Sequence, residues 1–311
     1  MRILLTGANG QLGTELRRSL APLGELVSST RSGILPDGAA CERADLGQSG
    51  SLAELIDRVR PDVVVNAAAY TAVDRAESEP ELAYRINAEA VEELAHACTA
   101  SGARLIHYST DYVFSGENDR PWREDDPTGP VNTYGASKLA GEEEIRASGC
   151  QHMVFRIAWV YAAHGHNFLR TMLRLAGERE VIQVVDDQHG TPTPAHWVAE
   201  ATAKVIAGGY TGSGTWHLAP QGQTTWHGFA ERIFSLAREE GLLGRTPELV
   251  AVSSQAFPAA ARRPSWSVLD ESRARGELGI SLPHWQAGLA AALSDLAGHS
   301  ASKDTTERPG G

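Results

Sequence analysis

Residues 2–13 read Arg2-Ile3-Leu4-Leu5-Thr6-Gly7-Ala8-Asn9-Gly10-Gln11-Leu12-Gly13. A short apolar run leads into glycines at 7, 10 and 13, and Leu12, Leu16 and Leu20 then recur at every fourth position. The pattern predicts a buried strand, a tight turn and an amphipathic helix. Such a turn needs a residue that tolerates positive φ, and a pyrophosphate approaches the backbone only where no Cβ intervenes. The helix behind it offers free N–H groups and the positive end of its dipole. Gly7, Asn9, Gly10, Gln11, Leu12 and Gly13 are therefore read as a dinucleotide-binding turn, the alternative being a plain strand–helix connection.

Outward from this turn the same alternation repeats. Ser51, with Glu54 three residues on, has the form of a capping box opening a helix that Pro61 stops. Val63-Val64-Val65 reads as the next strand, residues 88–101 as a helix, and Arg104 to Tyr108 as a strand. Residues 134–147 are helix-competent and residues 153–159 strand-like. Apolar strands separated by helices imply right-handed crossovers and a parallel sheet covered on both faces. The expected fold is α/β: a Rossmann-like doubly wound parallel sheet with a smaller mixed α/β C-terminal substrate domain. Residues 1–160, joined by part of 195–215, form the first domain in this reading. Residues 161–194 and 216–298 form the second, and 299–311 a disordered tail rich in Ser, Thr, Lys and Gly.

Composition narrows the function. The 311 residues are 42% hydrophobic and 22% charged with a net charge of −11, which argues against a nucleic-acid or membrane-surface binder. No run of about 18 apolar residues is present to span a bilayer, and the first residues lack the apolar core of a secretory signal. Cys41, Cys98 and Cys150 form neither a disulfide framework nor a zinc pattern, so a reducing cytoplasm is expected. After the second strand, where an acidic residue would hold a ribose 2′-hydroxyl, the chain places Arg31. That favours the 2′-phosphate of NADPH, with NADH as the other candidate, unless Arg31 is simply an exposed loop residue. Asp45-Leu46 is either the adenine edge or a turn.

Tyr134 and Lys138 lie one helical turn apart on one face. Composition alone gives about 0.07 such Tyr-x-x-x-Lys pairs by chance. The pair suits carbonyl reduction, because an alkoxide left by hydride transfer needs a proton and a nearby ammonium lowers the pKa of a phenol. Upstream, Ser109-Thr110-Asp111-Tyr112-Val113-Phe114 follows a strand. There Thr110 can polarise a substrate carbonyl. His189 and His217 read as structural or loop residues.

Together these residues resemble the extended short-chain dehydrogenases/reductases, and further stretches are similar to the dTDP-4-dehydrorhamnose reductase family. Those stretches are residues 66–77 and 109–114, Trp159-Val160-Tyr161, Asn167-Phe168, residues 187–193, Thr224-Thr225-Trp226-His227, Arg263-Pro264 and Leu282-Pro283-His284-Trp285. The resemblance implies reduction of the C4 ketone of dTDP-4-dehydro-L-rhamnose to dTDP-L-rhamnose by NADPH or NADH. It implies Thr110, Tyr134 and Lys138 as the catalytic triad, with Tyr134 and Lys138 also meeting the cofactor. Ala67, Ala68 and Ala69 would form the nicotinamide wall. Val73, Thr110, Asp111, Tyr112 and Trp159 would face the deoxysugar, and Arg263 its pyrophosphate. The chain departs from the family pattern with Tyr70 in place of histidine, Ala158 in place of serine, and His196 in place of a glutamate. That last change removes a ligand of the metal bridge some relatives form, so no required metal is expected. A monomer and a homodimer are both compatible. The rival readings are another nucleotide-sugar 4-ketoreductase of an antibiotic deoxysugar pathway and a non-catalytic NADP-binding regulatory subunit.

Overall fold

Seven parallel strands form the centre of the computed structural model, which describes residues 1–257 and 259–306. They begin with β1 (Arg2–Thr6), β2 (Glu25–Thr30), β3 (Glu42–Arg43), β4 (Val63–Asn66), β5 (Arg104–Thr110) and β6 (His152–Ile157). The seventh, Gly214–His217, lies at the sheet edge beside β6, and the order across the sheet is seventh-β6-β5-β4-β1-β2-β3. The order reverses between β1 and β4, so the crevice of this doubly wound sheet opens at their carboxyl ends.

The connections are helical: α1 (Gln11–Leu20), α2 (Ser51–Val59), α3 (Val73–Ala76), α4 (Pro80–Tyr84), α5 (Ala90–Ser101) and α6 (Thr133–Ala147). A π-helical turn, Arg85–Glu89, runs directly into α5. Helix α2 does not begin with the anticipated capping box. The hydroxyl of Ser51 accepts a hydrogen bond from Asp45 N (3.0 Å), and Glu93 Oε1 accepts from Leu52 N and Ala53 N at 3.0 and 3.1 Å. A carboxylate from α5 thus caps α2, which ties two helices on the same sheet face together.

Alternating strand residues feed two cores. Ile3, Leu5, Val65, Ile106 and Phe155 pack with α1 and with helix Ala195–Ala207 on one face, while Leu4, Val64, Leu105 and Val154 pack with α2 and α5 on the other. A third core holds Tyr161 of the short strand Val160–Tyr161 together with Leu169, Phe229, Trp285 and Leu293 from helices Phe168–Glu178, Trp226–Glu239 and Trp285–Thr306. Ala274, Ile280 and Leu282 belong to the first core rather than the third. The last helix continues to Thr306, into the stretch whose composition suggested disorder; residues 307–311 lie outside the described residues. Among the described residues, no helix is long and apolar enough to cross a membrane.

Candidate active site

The crevice at the β1–β4 reversal is a cleft of about 300 Å³. It is lined by Gly7, Asn9, Gly10, Arg31, Asp45, Leu46, Ala67, Ala68 and Ala69. Nine residues singled out in the sequence thus share one wall. Gly7 adopts φ +69°, and a Cβ there would lie 2.7 Å from Ala68 N, so backbone from two strands meets where only glycine fits. A Cβ on Gly13 would overlap Gly7 O, which is why α1 can pack so closely on the turn. No side chain caps the N-terminus of α1, and its first turn holds no acidic residue. Its free N–H groups and dipole remain available to an anion. Among the described residues Arg31 has no carboxylate partner. The residues present therefore fit a phosphorylated dinucleotide.

Two residues of the turn point elsewhere. Gln11 Nε2 donates to Val160 O (3.0 Å) and its Oε1 accepts from Asn167 Nδ2 (2.7 Å), which fastens the turn to the chain that follows β6. Leu12 packs against the first core. Thr6, Ser29, Thr30, Ala44 and Ile86 line the cleft as well and were not singled out. The first four sit on or beside strand ends, where the signal was position rather than residue type. Ile86 reaches the cleft through the π-helical turn, which helical periodicity does not reveal.

Beyond the cleft, Asn132 caps α6 by accepting from Gly135 N (2.8 Å), which fixes the first turn carrying Tyr134. The Tyr134 ring meets Tyr112 edge-on at 5.8 Å, and the nearby Thr110 hydroxyl favours the ionised phenol. Thr110 Oγ1 donates to Asp111 Oδ1 at 2.9 Å and accepts from Tyr112 N at 3.2 Å. Burial pushes the Asp111 carboxyl up to about 7, against the opposing influence of the nearby Ser267 and Thr110 hydroxyls, and its Oδ2 is buried without a hydrogen-bond partner.

Lys138 is buried, and its Nζ lies 2.7 Å from Tyr108 O and 3.0 Å from His107 Nε2. The expectation that this ammonium lowers the Tyr134 pKa is corrected here. Burial raises the phenol to about 12, the Thr110 hydroxyl opposes this, and Lys138 is not among the groups acting on it. Burial likewise pulls Lys138 down to about 8, with Glu142 pulling the other way. Tyr134 is thus a neutral phenol with its proton in place, and the amine beside it is directed at strand β5.

Val73 opens α3, and Asp74 after it pairs with Arg263 (Nη2–Oδ2 2.7 Å), so the charge of Arg263 is partly engaged already. Trp159 follows β6 with φ +48°, a left-handed backbone that a large side chain rarely adopts. Its indole stacks on Trp226 at 3.6 Å and 6°, and Gly190 is so close that a Cβ there would strike the Trp159 ring. Trp226 was quoted only as part of a family stretch; the stack makes it the support that holds Trp159. His189 leans on the Trp266 ring, and His217 is fully buried against Phe114, its pKa pushed down to about 3 by burial. Among the described residues no group of three His, Cys, Asp or Glu is arranged to hold a metal ion.

A doubly wound parallel sheet with a dinucleotide cleft at its reversal, and a Tyr-x-x-x-Lys pair beside it, defines a reductase of the short-chain dehydrogenase class. Comparison with known proteins narrows the class. Residues 1–297 match the family model described as the RmlD substrate binding domain. A dTDP-4-dehydrorhamnose reductase of Burkholderia thailandensis is 46% identical, over 95% of this chain and 99% of its own length. The enzyme of that name from Escherichia coli K12 is 45% identical over 95% of this chain and 98% of its own length. A Bacillus anthracis dTDP-4-dehydrorhamnose reductase solved in complex with NADP superposes with a TM-score of 0.86 at 34% identity, covering 94% of this chain and 99% of that one. The chain belongs to the dTDP-4-dehydrorhamnose reductase family.

Proposed function

We propose that this protein reduces the C4 ketone of dTDP-4-dehydro-L-rhamnose to dTDP-L-rhamnose with NADPH. The observation that carries the reading is Tyr134 on the first turn of α6, held there by the Asn132 cap, with Lys138 buried one turn on and a dinucleotide cleft lined by Gly7, Gly10 and Ala67 to Ala69. NADPH supplies the hydride for C4 and leaves as NADP⁺. Thr110 polarises the ketone, and Tyr134 gives its proton to the oxygen as negative charge develops there. Lys138 then stabilises the phenolate left on Tyr134. The proton donor is oriented by Asn132 and shielded by Tyr112, and the Trp159–Trp226 stack offers an apolar face to the sugar C–H groups. Arg263 meets the substrate pyrophosphate, sharing its charge with Asp74.

Gly7, Asn9, Gly10 and the first turn of α1 hold the dinucleotide pyrophosphate in this reading, with Asp45 and Leu46 at the adenine. The chain works in the cytoplasm, where its cysteines, two of them buried, stay reduced. It pairs as a homodimer, to which exposed Leu82 and Tyr84 on α4 would contribute.

The test is a steady-state assay of dTDP-4-dehydro-L-rhamnose with each nicotinamide, with identification of the sugar product. NADPH is expected to be preferred. Arg31→Ala is expected to raise the NADPH KM about 10–100-fold, as for loss of a charge-assisted hydrogen bond, while leaving NADH within a few-fold. Turnover of other dTDP-4-keto sugars with this substrate untouched would reject the assignment.

A further inference from the structure

We propose that Asp111 is a positioning residue for this reaction and that it works as the neutral acid: its proton, carried on Oδ1, is donated to Thr110 Oγ1 and turns the Thr110 hydrogen toward the ketone oxygen. The inference rests on the reading of Thr110 as the group that polarises the ketone. Its basis is the number of protons available at one hydroxyl.

Thr110 is buried at the end of β5, and a threonine hydroxyl has one hydrogen to give and two lone pairs to offer. One lone pair takes Tyr112 N–H at 3.2 Å, a group that can only donate. The other partner is Asp111 Oδ1 at 2.9 Å. A carboxylate carries no proton, so an ionised Asp111 claims the single Thr110 hydrogen and leaves none for the ketone. Turning that hydrogen away would strip Asp111 of its one side-chain hydrogen bond among the described residues, since Oδ2 is buried without a partner. The nearby Ser267 hydroxyl does not fill the gap, because it donates to His189 O at 3.2 Å. A buried carboxylate with both oxygens bare is among the most costly arrangements in a protein interior.

The neutral acid removes this conflict. Its Oδ1–H enters the free lone pair of Thr110, the Tyr112 bond stays, and the Thr110 hydrogen turns outward. The hydroxyl then makes three bonds, its full capacity, one of them to the ketone. Asp111 keeps its proton through the turnover; the proton that reaches the substrate oxygen is that of Tyr134. The surroundings favour the neutral form. Burial is the largest influence on the carboxyl and holds it up to about 7. Tyr112 on the same turn and Tyr134 on α6 are phenols that burial keeps neutral. Lys138 on α6 directs its amine to Tyr108 O and His107, and Arg263, paired with Asp74, acts on Tyr112. Among the described residues no salt bridge includes Asp111. A dinucleotide and a sugar nucleotide bring negative charge and exclude water, and both push a carboxyl further up.

The first readout uses the full chain without cofactor, so it separates a failure here from a failure of the sugar assignment. In protein labelled with ¹³C at the aspartate carboxyls, one signal is expected to titrate near pH 7 and to vanish in Asp111→Asn. Thr110→Val, which removes a hydroxyl that opposes burial, should move the same signal up, an assignment that does not need the Asn variant to fold. Asp37, Asp74, Asp126 and Asp270 are shifted the other way. The second readout is the pH profile of kcat/KM for the sugar nucleotide at saturating NADPH. Two ionisations limit the native enzyme, that of Asp111 and that of Lys138, whose amine is held at about 8. Above both, kcat/KM is expected to fall about a hundredfold per pH unit. In Asp111→Asn, whose amide donates to Thr110 at every pH, Lys138 alone remains and the fall should be about tenfold per unit. The slope of the profile, rather than its height, carries the outcome. An Asp111 signal that titrates in the ordinary carboxylate range overturns the proposal, and so does the same alkaline slope in the native enzyme and in Asp111→Asn.

Discussion

Tyr134→Phe is expected to lower kcat by about 10²–10⁴-fold, the usual loss when a positioned general acid is removed. The substitution deletes one oxygen and little else. The ring keeps its edge-on contact with Tyr112 at 5.8 Å, and the helix cap from Asn132 is untouched. NADPH affinity, measured by fluorescence titration, should stay within a few-fold, because the cleft walls are built from other residues. A pure loss of kcat without loss of cofactor binding is the signature of an interaction made only in the transition state. In the native enzyme burial holds the phenol up to about 12. The donor therefore keeps its proton throughout the neutral range, and the alkaline limb that its ionisation would give lies well above it. A variant within tenfold of the native kcat would remove Tyr134 from the mechanism.

The second large effect is on stability. Arg156→Leu is expected to cost about 3–5 kcal/mol at pH 7, because it strands a buried carboxylate. Glu142 is fully buried and Arg156 is 3% exposed; the guanidinium grips both carboxylate oxygens and also lies 5.0 Å from the Phe114 ring. Burial alone would raise the Glu142 carboxyl, but the bonds and charge of Arg156 outweigh it and the net direction is down. A carboxyl lowered in the folded chain stabilises fully above its unfolded pKa and loses that contribution as pH falls through the folded one. In the variant the carboxyl is raised instead. The deficit against the native protein should therefore be largest near neutrality and shrink as pH falls and the stranded carboxyl takes a proton. Urea unfolding at neutral and at lower pH measures it. A deficit under about 1 kcal/mol at pH 7 would mean that Arg146, 3.2 Å from Glu142 and 43% exposed, suffices as partner.

Much of this was legible in the sequence because it depends on local rules. The glycines at 7 and 13, the apolar strands and the Tyr134–Lys138 spacing follow from backbone sterics and helix periodicity, and the structure places them where those rules predict. What escaped depends on which strands become neighbours. Asn66 and His107 end or interrupt apolar runs, a sign that each needs a buried partner, but only the adjacency of β1, β4 and β5 makes them partners of Thr6 and Lys138. The Ser51 cap was misread because Glu93, 41 residues on from Leu52, does the capping. Trp226 lies far along the chain from Trp159, so no spacing rule connects the two indoles. The direction of the Tyr134 pKa was misjudged for a related reason: proximity of Lys138 along the helix said nothing of the carbonyl and imidazole that engage its amine.

The site stands on the claim that one pocket delivers a hydride to C4 of the sugar and a proton to its oxygen. The most direct test is a reaction with NADPH carrying deuterium at both C4 positions of the dihydronicotinamide, followed by mass and NMR analysis of the sugar nucleotide. The account predicts dTDP-L-rhamnose with one deuterium, at C4 of the sugar, and one equivalent of NADP⁺. Deuterium at another carbon, or NADPH consumed with none in the sugar, would contradict it.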